Sequence, residues 1–213
     1  MNLSVFDLDH TLLKKNSSVE FCKYLYKKKK LSFFSVLHSF LYYIRHVYLT
    51  LSLEDLHRKI FKKLLCGMRL ADLEQDAVLF GETYLEKLLY MPAVERLKQA
   101  QSLGHFTMIL SSSPDFLVKV LAERFQVDEW KASEYQVDEA LCLSHVSSIL
   151  QGEGKALLVQ KTAQRLSILK KDITAYSDSH LDLPFLMASG VPVLVTPNKR
   201  LKKLSKGFGW KTI

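Results

Sequence analysis

"SVFDLDHTLL", residues 4–13, places two carboxylates directly behind a short apolar run. The run NLSVF (2–6) is typical of a buried strand. Because a strand alternates its faces, Asp7 and Asp9 should point to the same side. Two like charges this close repel each other unless a positive group lies between them or one of them takes a proton. The stretch therefore predicts a strand that ends in a functional site.

Strand and helix patterns alternate over most of the remaining chain. Apolar segments typical of strands lie at 105–110, 172–178 and 191–195, and residues 131–148 resemble short β segments. Helical patterns follow at 93–103, after the serine run 111–113, at 155–166 and after Pro184. This alternation predicts an α/β fold with a Rossmann-like parallel sheet flanked by helices.

The segment after the first strand is too long to be a simple crossover. Residues 17–89 follow a helical pattern and contain no proline, with turns expected at the lysine run 27–30 and at Gly67. We therefore expect an inserted all-helical cap after the first strand. The predicted division is a core domain of residues 1–14 and 90–213 and a cap domain of residues 15–89.

Composition indicates a globular protein with a preference for anionic partners. The chain has 213 residues, of which 48% are hydrophobic and 24% charged, and its formal net charge is +8. Such a charge favours phosphorylated metabolites, an acidic membrane surface or nucleic acid, although solvated lysines are the simpler explanation. The three cysteines form no CxxC pair, which fits a reducing, cytoplasmic compartment. The first apolar run is too short for a signal peptide.

One segment, Leu31–Leu53, is long enough to span a bilayer and contains Arg45 as its sole formal charge. Its polar and apolar residues separate into two stripes at helical spacing, which indicates an amphipathic helix. We interpret it as a helix that packs on other helices. Peripheral contact with an anionic membrane is the alternative interpretation, and a true span is disfavoured.

Polar side chains gather where the predicted strands end, and in parallel α/β sheets ligands bind at the carboxyl ends of the strands. Carboxylate oxygens at this density suit Mg²⁺. Together with a lysine and hydroxyl groups, they suit a phosphoryl group. The residues concerned are Asp7, Asp9 and Thr11 after the first strand, Ser111 and Ser112 after the second, Asp178 and Asp182 after a later one, and Lys155 behind a glycine-containing loop.

Four segments in this order resemble the four motifs of the haloacid dehalogenase-like superfamily, and in particular its phosphoserine-phosphatase-like subfamily IB hydrolases. They are VFDLDHTLL, MILSSSP, GEGKALL and YSDSHLDLP. The resemblance covers the whole chain, including the helical insertion and the tail VTPNKRLKKLSKGFGWKTI. It implies a Mg²⁺-dependent phosphomonoester hydrolase that acts through an aspartyl-phosphate intermediate on a small phosphorylated metabolite.

The resemblance also implies a role for each residue. Asp7 would be the nucleophile, and Asp9 would protonate the leaving alcohol and then activate water. Lys155 would hold the charges of nucleophile and phosphate together. The implied phosphate ligands are Thr11, Ser111, Ser112 (through its backbone N–H) and Lys155; the implied Mg²⁺ ligands are the Asp7 side chain, the Asp9 backbone carbonyl and Asp178, with Asp182 acting from behind them.

Simpler interpretations exist for several of these residues. Asp7 and Asp9 could be solvated carboxylates in a turn, and the serines before Pro114 could cap a helix. Asp182 could interact with a helix dipole instead of the site. His10 occupies a variable motif position, where contact with solvent or local packing is expected. The order of all four motifs favours the catalytic interpretation.

The substrate is less well defined than the reaction. Phosphoserine phosphatases typically carry a Glu nine positions after the nucleophile, and Asn16 occupies that position here. Arg58 and Arg69 are candidates for binding a substrate carboxylate. The motif YSDSHLDLP is also similar to that of phosphatidylglycerophosphate phosphatases, which makes a phospholipid head-group phosphatase an alternative.

Two non-enzymatic functions are less consistent with these residues. A catalytically silent relative that binds a phosphorylated ligand would have no need of the acid/base carboxylate Asp9. A nucleic-acid binder is suggested by charge alone, and the basic residues are spread along the chain without a recognition module, so no nucleic-acid partner is expected.

Overall fold

The computed structural model describes residues 1–48 and 52–213. Within these residues, seven strands form one sheet in the order β4-β3-β2-β1-β5-β6-β7. The alternation of strands and helices confirms the predicted α/β class. The strands are β1 (Leu3–Asp7), β2 (Phe106–Pro114), β3 (Glu129–Val137), β4 (Leu143–Ser148), β5 (Ile173–Ser177), β6 (Val191–Leu194) and β7 (Lys211–Thr212).

Helices surround the sheet and also dominate the described part of the insertion between β1 and β2, as the sequence predicts. The described insertion contains α1 (Ser17–Lys27), α2 (Phe33–Tyr48), α3 (Leu53–Leu64) and α4 (Leu70–Leu88). The remaining helices are α5 (Met91–Ser102), α6 (Asp115–Phe125), α7 (Gly152–Arg165), α8 (Leu183–Met187) and α9 (Lys199–Leu204), with two single 3-10 turns at Lys170–Asp172 and His180–Asp182. The domain boundaries at residues 14 and 90 stay a prediction.

The sheet differs from the prediction at one edge. All neighbouring strands pair in parallel except β3 and β4, which are antiparallel. The connection between them is too short for a crossover, so the chain must reverse as a hairpin. Asp138 stabilises the turn by accepting the N–H groups of Ala140 and Cys142, at 3.0 and 2.9 Å.

The register of β1 determines which residues meet at the sheet edge. Strand β1 lies between β2 and β5, with Asp7 opposite Leu110 and Phe6 opposite Tyr176. Ser111 therefore follows the partner of Asp7 on one side. On the other side, β5 ends at Ser177, directly before Asp178. The carboxyl ends of three strands thus converge, as expected for a ligand site in this class of sheet.

The helical insertion and the sheet share one hydrophobic cluster. Phe21 of α1 packs edge-on against Phe80 of α4, with ring centroids 5.5 Å apart, and lies 6.2 Å from Phe116 of α6. Phe6 and Leu8 of the first motif belong to the same buried cluster. Apolar residues of α1 and α4 are therefore buried against the core and not only against one another.

Backbone hydrogen bonds also join the insertion to the β3–β4 hairpin. Gly67 donates to the carbonyl of Leu143 at 2.8 Å, and Leu143 donates to the carbonyl of Met68 at 2.8 Å. Leu70 donates to Leu141 at 3.0 Å. Gly67 has a φ of +83°, which a residue with a Cβ would adopt only with strain. The segment between α3 and α4 thus runs along the hairpin and pairs with it in the manner of an additional strand.

Helix α2 packs differently from what its apolar periodicity suggests. It lies beside α3, with Lys59 over the ring of Tyr42, so the expected packing on another helix is confirmed. However, its polar residue Ser39 faces the protein, and a stripe of apolar side chains faces solvent. Residues 49–51 of the segment Leu31–Leu53 lie outside the described residues. In the part of the chain that the structure covers, no helix has the length and hydrophobicity needed to cross a bilayer.

Gly190 lies in the turn before β6, where the backbone closely approaches Lys170 and Lys171, the residues just before β5. This close approach can be tested by substitution. A Cβ at this position would collide with the carbonyl oxygen of Lys170 and lie 2.6 Å from the Cα of Lys171. Both are backbone atoms that a rotamer change cannot move. We expect Gly190→Ala to lower the free energy of unfolding by about 2 kcal/mol, measured by equilibrium urea denaturation.

Gly154→Ala is the matched control, because its Cβ would meet only the flexible end of Leu150, at 3.2 Å, inside α7. Alanine also favours a helix over glycine by roughly 1 kcal/mol. Equal denaturation midpoints for the two variants would contradict the close backbone approach at Gly190.

Candidate functional site

The strand ends bring the predicted residues into one buried site. Asp7 ends β1, Ser111 lies in β2, and Asp178 follows β5. Lys155 lies in the first turn of α7, and Asp182 lies at the end of the 3-10 turn before α8. Asp7, Ser111, Lys155 and Asp182 are all buried. Residues separated by up to 148 positions in sequence are thus in direct contact.

Lys155 is the central contact of the site. Its Nζ donates to Oδ1 of Asp7 at 2.6 Å and to Oδ2 of Asp182 at 2.8 Å, and its side chain is 3% exposed. Ser177 also donates to Oδ2 of Asp182, at 2.8 Å. A buried ammonium between two carboxylates supplies the positive charge that the repulsion between acidic groups requires. Within the described residues, hydrogen bonds engage Asp7 through Oδ1, so Oδ2 is available to a ligand.

The electrostatics of the site are dominated by burial. Burial raises the pKa of Asp7, the Lys155 ammonium opposes this shift, and Asp182, Asp178 and Asp9 add to it. Burial likewise raises the pKa of Asp178 to about 6, although the charge of His10 opposes the shift. The carboxylates Asp182 and Asp7 hold the pKa of Lys155 above its usual value despite its burial. Lys155 is therefore charged at neutral pH, whereas Asp7 and Asp178 resist ionisation.

Asp9 points into a separate hydrogen-bond network. Its Oδ1 accepts the backbone N–H of Ser17 at 2.6 Å, and its Oδ2 accepts the hydroxyl of Ser113 at 2.6 Å. Because the Ser113 proton goes to Asp9, the hydroxyls of Ser17 and Ser18 must donate to the Ser113 oxygen, at 3.1 and 2.7 Å. Asp9 is thereby bound both to β2 and to the first residue of α1.

The serine run of β2 does not cap the following helix. Pro114 precedes α6, whose start has no side-chain cap. Instead, the Ser111 hydroxyl accepts the backbone N–H of Ser113 at 3.1 Å, and the carbonyl of Ser112 accepts the Ser133 hydroxyl at 2.7 Å. Ser111 lies beside the Asp7 position, while Ser112 is half-buried. Their roles as phosphate ligands stay predictions.

Three other predicted positions have distinct surroundings. The carboxylate of Asp182 does not cap α8; its partners are Lys155 and Ser177, which argues against a simple helix-dipole role. Thr11 is fully buried, and its hydroxyl forms no hydrogen bond within the described part of the chain. Its role as a phosphate ligand stays a prediction. His10 is exposed, as expected, and adopts a positive φ of 61°.

The candidate substrate-binding residues of the insertion have structural partners. Asn16 caps α1 by accepting the N–H of Val19 at 3.0 Å. The guanidinium of Arg58 donates to Glu54 and, at 2.8 Å, to the carbonyl of Val146, so it ties α3 to β4. Arg69 is exposed at the start of α4.

The donor set fits the expected Mg²⁺. Mg²⁺ is commonly bound in proteins by one or two carboxylates and retains several waters. Asp7 and Asp178 provide two carboxylates at neighbouring strand ends, the first buried and the second half-buried. Burial raises the pKa of both, and a bound cation would favour their ionised forms. Both carboxylate oxygens of Asp9 have other partners, which leaves its backbone carbonyl for the ion. Among the described residues, no three acidic, histidine or cysteine side chains form a metal cluster.

Three serines of the site were missed by the sequence reasoning. Ser113 follows Ser111 by two positions, so the strand period places both on one face, and this signal could have indicated it. Ser177 directly precedes Asp178, and its contact with Asp182 has no comparable signal. Ser17 contacts Asp9 only because α1 begins beside the first motif.

The half-buried Asp178 predicts a pH dependence for the metal-free protein. Its folded pKa of about 6 exceeds the ordinary value of 3.8 expected for the unfolded chain, so stability is lost as the pH rises through 6. Asp178→Asn removes this titration. In EDTA, the variant should gain up to about 2–3 kcal/mol over the wild type between pH 4 and pH 7, as measured by urea denaturation.

Asp72→Asn is the control, since Asp72 is exposed in the first turn of α4. Its stability should follow the wild type across the same pH range. A constant difference between Asp178→Asn and the wild type from pH 4 to pH 7 would show that Asp178 is not held in a disfavoured ionised state.

Comparison with known proteins identifies the family to which the sequence is similar. Residues 4–187 match the family of haloacid dehalogenase-like hydrolases. Phosphoserine phosphatase SerB1 of Mycobacterium tuberculosis is 27% identical over 217 residues, which covers 97% of this chain and 68% of that protein. A histidinol-phosphatase of Neisseria meningitidis is 25% identical, and the match covers 100% of this chain and 98% of that protein.

Solved structures share the fold. A protein of unknown function from Bordetella pertussis superposes with a TM-score of 0.83 at 21% identity, over 99% of this chain and 97% of that one. A phosphoserine phosphatase solved as a phospho-aspartyl intermediate analogue has a TM-score of 0.66 at 18% identity, over 95% and 90% of the two chains. Since the family match includes Asp7, Lys155 and Asp178 and spans most of the sequence, the chain belongs to the haloacid dehalogenase-like hydrolases.

Proposed function

We propose that the protein is a Mg²⁺-dependent phosphomonoesterase that forms an aspartyl-phosphate on Asp7 and acts on a small phosphorylated metabolite. The observation that carries this proposal is the buried Lys155 ammonium, which bridges Asp7 and Asp182 while one oxygen of Asp7 stays available. A carboxylate that is held beside a fixed positive charge can approach an anionic phosphoryl group, because the ammonium offsets the repulsion between them.

The phosphoryl group would bind between three strand ends. The Lys155 ammonium would contact its oxygens while it keeps Asp7 in position. The Ser111 hydroxyl and the backbone N–H of Ser112 would donate to the same oxygens from β2. Asp182 accepts hydrogen bonds from both Lys155 and Ser177, and its fixed carboxylate sets the direction of the Lys155 ammonium.

In the first step, an oxygen of Asp7 attacks phosphorus, and the bond between phosphorus and the ester oxygen breaks. Asp9 gives a proton to the departing alkoxide, which leaves as an alcohol. In the second step, Asp9 accepts a proton from water as the water oxygen attacks phosphorus. The bond between Asp7 and phosphorus breaks, and inorganic phosphate and the free Asp7 carboxylate are formed.

Asp7, Asp178 and the Asp9 carbonyl would hold Mg²⁺. When bound, the ion neutralises charge on these carboxylates and on the phosphoryl oxygens. The raised pKa values of Asp7 and Asp178 support this part of the proposal, since ionised carboxylates in this position need a further cation.

The relatives support the reaction more than the substrate. Two of them are named for different phosphate esters, phosphoserine and histidinol phosphate, and one structural neighbour was solved as an analogue of a phospho-aspartyl intermediate. Asn16 caps a helix and Arg58 is tied to Glu54, so neither offers a ready site for an amino acid. We therefore propose a phosphoserine-like metabolite as the class of substrate and name no specific compound.

A phospholipid head group is the second candidate substrate, favoured by the exposed apolar stripe of α2 beside the lysine run 27–30. A catalytically silent binding protein is disfavoured, because Asp9 keeps two hydrogen bonds that orient its carboxylate. The proposal places the enzyme in the cytoplasm, where unpaired cysteines such as those of the described chain are stable.

The mechanism predicts the effect of removing the nucleophile. Asp7→Asn should lower the turnover of para-nitrophenyl phosphate by at least about 1,000-fold, because an amide cannot form the aspartyl-phosphate. EDTA should abolish wild-type turnover, and Mg²⁺ should restore it. The release of nitrophenolate measures both effects.

Asp72→Asn, on the surface of α4, is the matched acidic control and should keep wild-type turnover. Equal turnover by Asp7→Asn and the wild type would disprove the nucleophilic role. Mass spectrometry of the acid-quenched reaction should show an added phosphoryl group on the wild type and none on Asp7→Asn.

The hydroxyl of Ser113 should act as a positioning group for Asp9. Without its hydrogen bond, the Asp9 carboxylate loses one of its two fixed partners. We expect Ser113→Ala to lower kcat by about tenfold with little change in KM, because Asp9 acts in proton transfer and does not bind the phosphate.

Ser189→Ala is the control for the loss of a buried serine hydroxyl, since Ser189 donates to the Leu186 carbonyl away from Asp9. Thermal denaturation of both variants separates stability from turnover. A fall in kcat for Ser189→Ala equal to that for Ser113→Ala would assign the effect to general loosening of the fold.

A further inference from the structure

We propose that α2 and the lysine run before it form a docking surface on which the protein binds the face of an anionic lipid bilayer. The surface, called here the α2 surface, consists of an apolar stripe and a basic edge. The stripe contains Phe33, Phe34, Leu37, Phe40 and Leu41, and the edge contains Lys27, Lys28 and Lys29. This inference stands independently of the proposed phosphatase function.

The apolar half of the α2 surface is a continuous helical stripe. Its five members recur at positions i, i+1, i+4, i+7 and i+8, which lie on one side of a helix. Their exposed fractions range from 41% for Leu37 to 71% for Phe34. Isolated exposed apolar residues are ordinary, whereas a contiguous group of this kind indicates an interaction site.

The inner side of α2 explains why this stripe faces outward. Val36 packs against the main hydrophobic cluster, and the hydroxyl of Ser39 is buried with a hydrogen bond to the carbonyl of Ser35. Tyr42 lies under Lys59 of α3. The protein side of α2 thus carries both apolar and polar residues, and the stripe is left without a partner inside the described chain.

The segment that carries the stripe contains formal charges of one sign. Residues 21–53 contain no Asp or Glu, but they contain Lys23, Lys27–Lys30 and Arg45. Lys23 and Lys30 form ion pairs with Glu20 and Asp76. The side chains of Lys27, Lys28 and Lys29 are exposed and have no acidic partner among the described residues, although the ammonium groups of Lys27 and Lys28 lie over the rings of Tyr84 and Tyr24. Basic residues beside an apolar helix face are the combination that binds a negatively charged lipid surface.

An anionic bilayer fits both halves of the α2 surface better than other partners do. A second copy of the chain could cover the stripe, but it would bring two like-charged lysine runs together. A nucleic acid would match the lysines and leave the phenylalanines exposed. Because α2 is not long and apolar enough to span a membrane, the contact would be peripheral, with the stripe in the head-group region.

Co-sedimentation of the full chain with vesicles tests this inference. The wild type should sediment with vesicles of phosphatidylcholine and phosphatidylglycerol and stay in solution with phosphatidylcholine alone. The triple variant Phe34→Ser, Leu37→Ser, Leu41→Ser removes part of the stripe, and the double variant Lys28→Gln, Lys29→Gln removes part of the edge. Each should weaken the Kd for anionic vesicles by at least about tenfold.

Two matched controls change the same residue types elsewhere. Leu103→Ser replaces an exposed leucine at the end of α5, and Lys202→Gln, Lys203→Gln removes two exposed lysines from α9. Both should bind vesicles like the wild type. Turnover of para-nitrophenyl phosphate should be unchanged in all four variants, so that failure of vesicle binding and failure of the phosphatase proposal are distinguishable.

Several results would overturn the inference. The wild type could remain in solution with anionic vesicles, or the α9 variant could lose as much affinity as the Lys28→Gln, Lys29→Gln variant, which would indicate net charge alone. Undiminished binding by the stripe variant would exclude α2. A dimer in sedimentation velocity that the stripe variant dissociates would identify a second copy of the chain as the occupant.

Discussion

The contact between Lys155 and Asp7 is the interaction on which the site depends. Asp7 lies among three other acidic residues, Asp9, Asp178 and Asp182, and is removed from solvent. An unpaired charge in such a place would be strongly destabilising, and a single ammonium balances only part of it. The position of β1 between β2 and β5, and the start of α7 opposite their ends, are what bring Lys155 to this point. The remaining negative charge is the physical reason to expect a cation, which together with Lys155 would supply the positive charge that an anionic phosphoryl group needs.

Much of the site could be predicted from the sequence, since strand periodicity and strand order are local signals. Asp7 and Asp178 follow apolar strands, and parallel pairing brings strand ends together. The strand period could indicate Ser113 as a site residue, but its contact with Asp9 joins residues 104 positions apart and depends on the pairing of β1 with β2, which no local pattern encodes. The antiparallel β4 was missed for a related reason, because the tight turn after β3 depends on hydrogen bonds made by Asp138.

Helix α2 shows the limit of reasoning from periodicity. Its polar and apolar stripes are visible in the sequence, but the pattern does not say which stripe faces the protein. The buried Ser39 and the exposed Phe34 show that the usual assignment is reversed. A side chain such as Arg58 is equally undetermined, because its partner Val146 belongs to a strand 88 positions away. For α2 and for Arg58 alike, the elements packed against the helix decide which side chains face the protein.

The shared hydrophobic cluster limits how the insertion can be exchanged. Phe21 and Phe80 of the insertion pack with Phe116 of the core, and the backbone at Gly67 and Met68 is bonded to the hairpin. The insertion is therefore not an independent module. Replacing it with another helical segment would expose Phe116 of the core, and it would also remove the backbone hydrogen bonds to the hairpin. Side chains exposed on the insertion can therefore be substituted without these costs, whereas its buried framework cannot be exchanged as a unit.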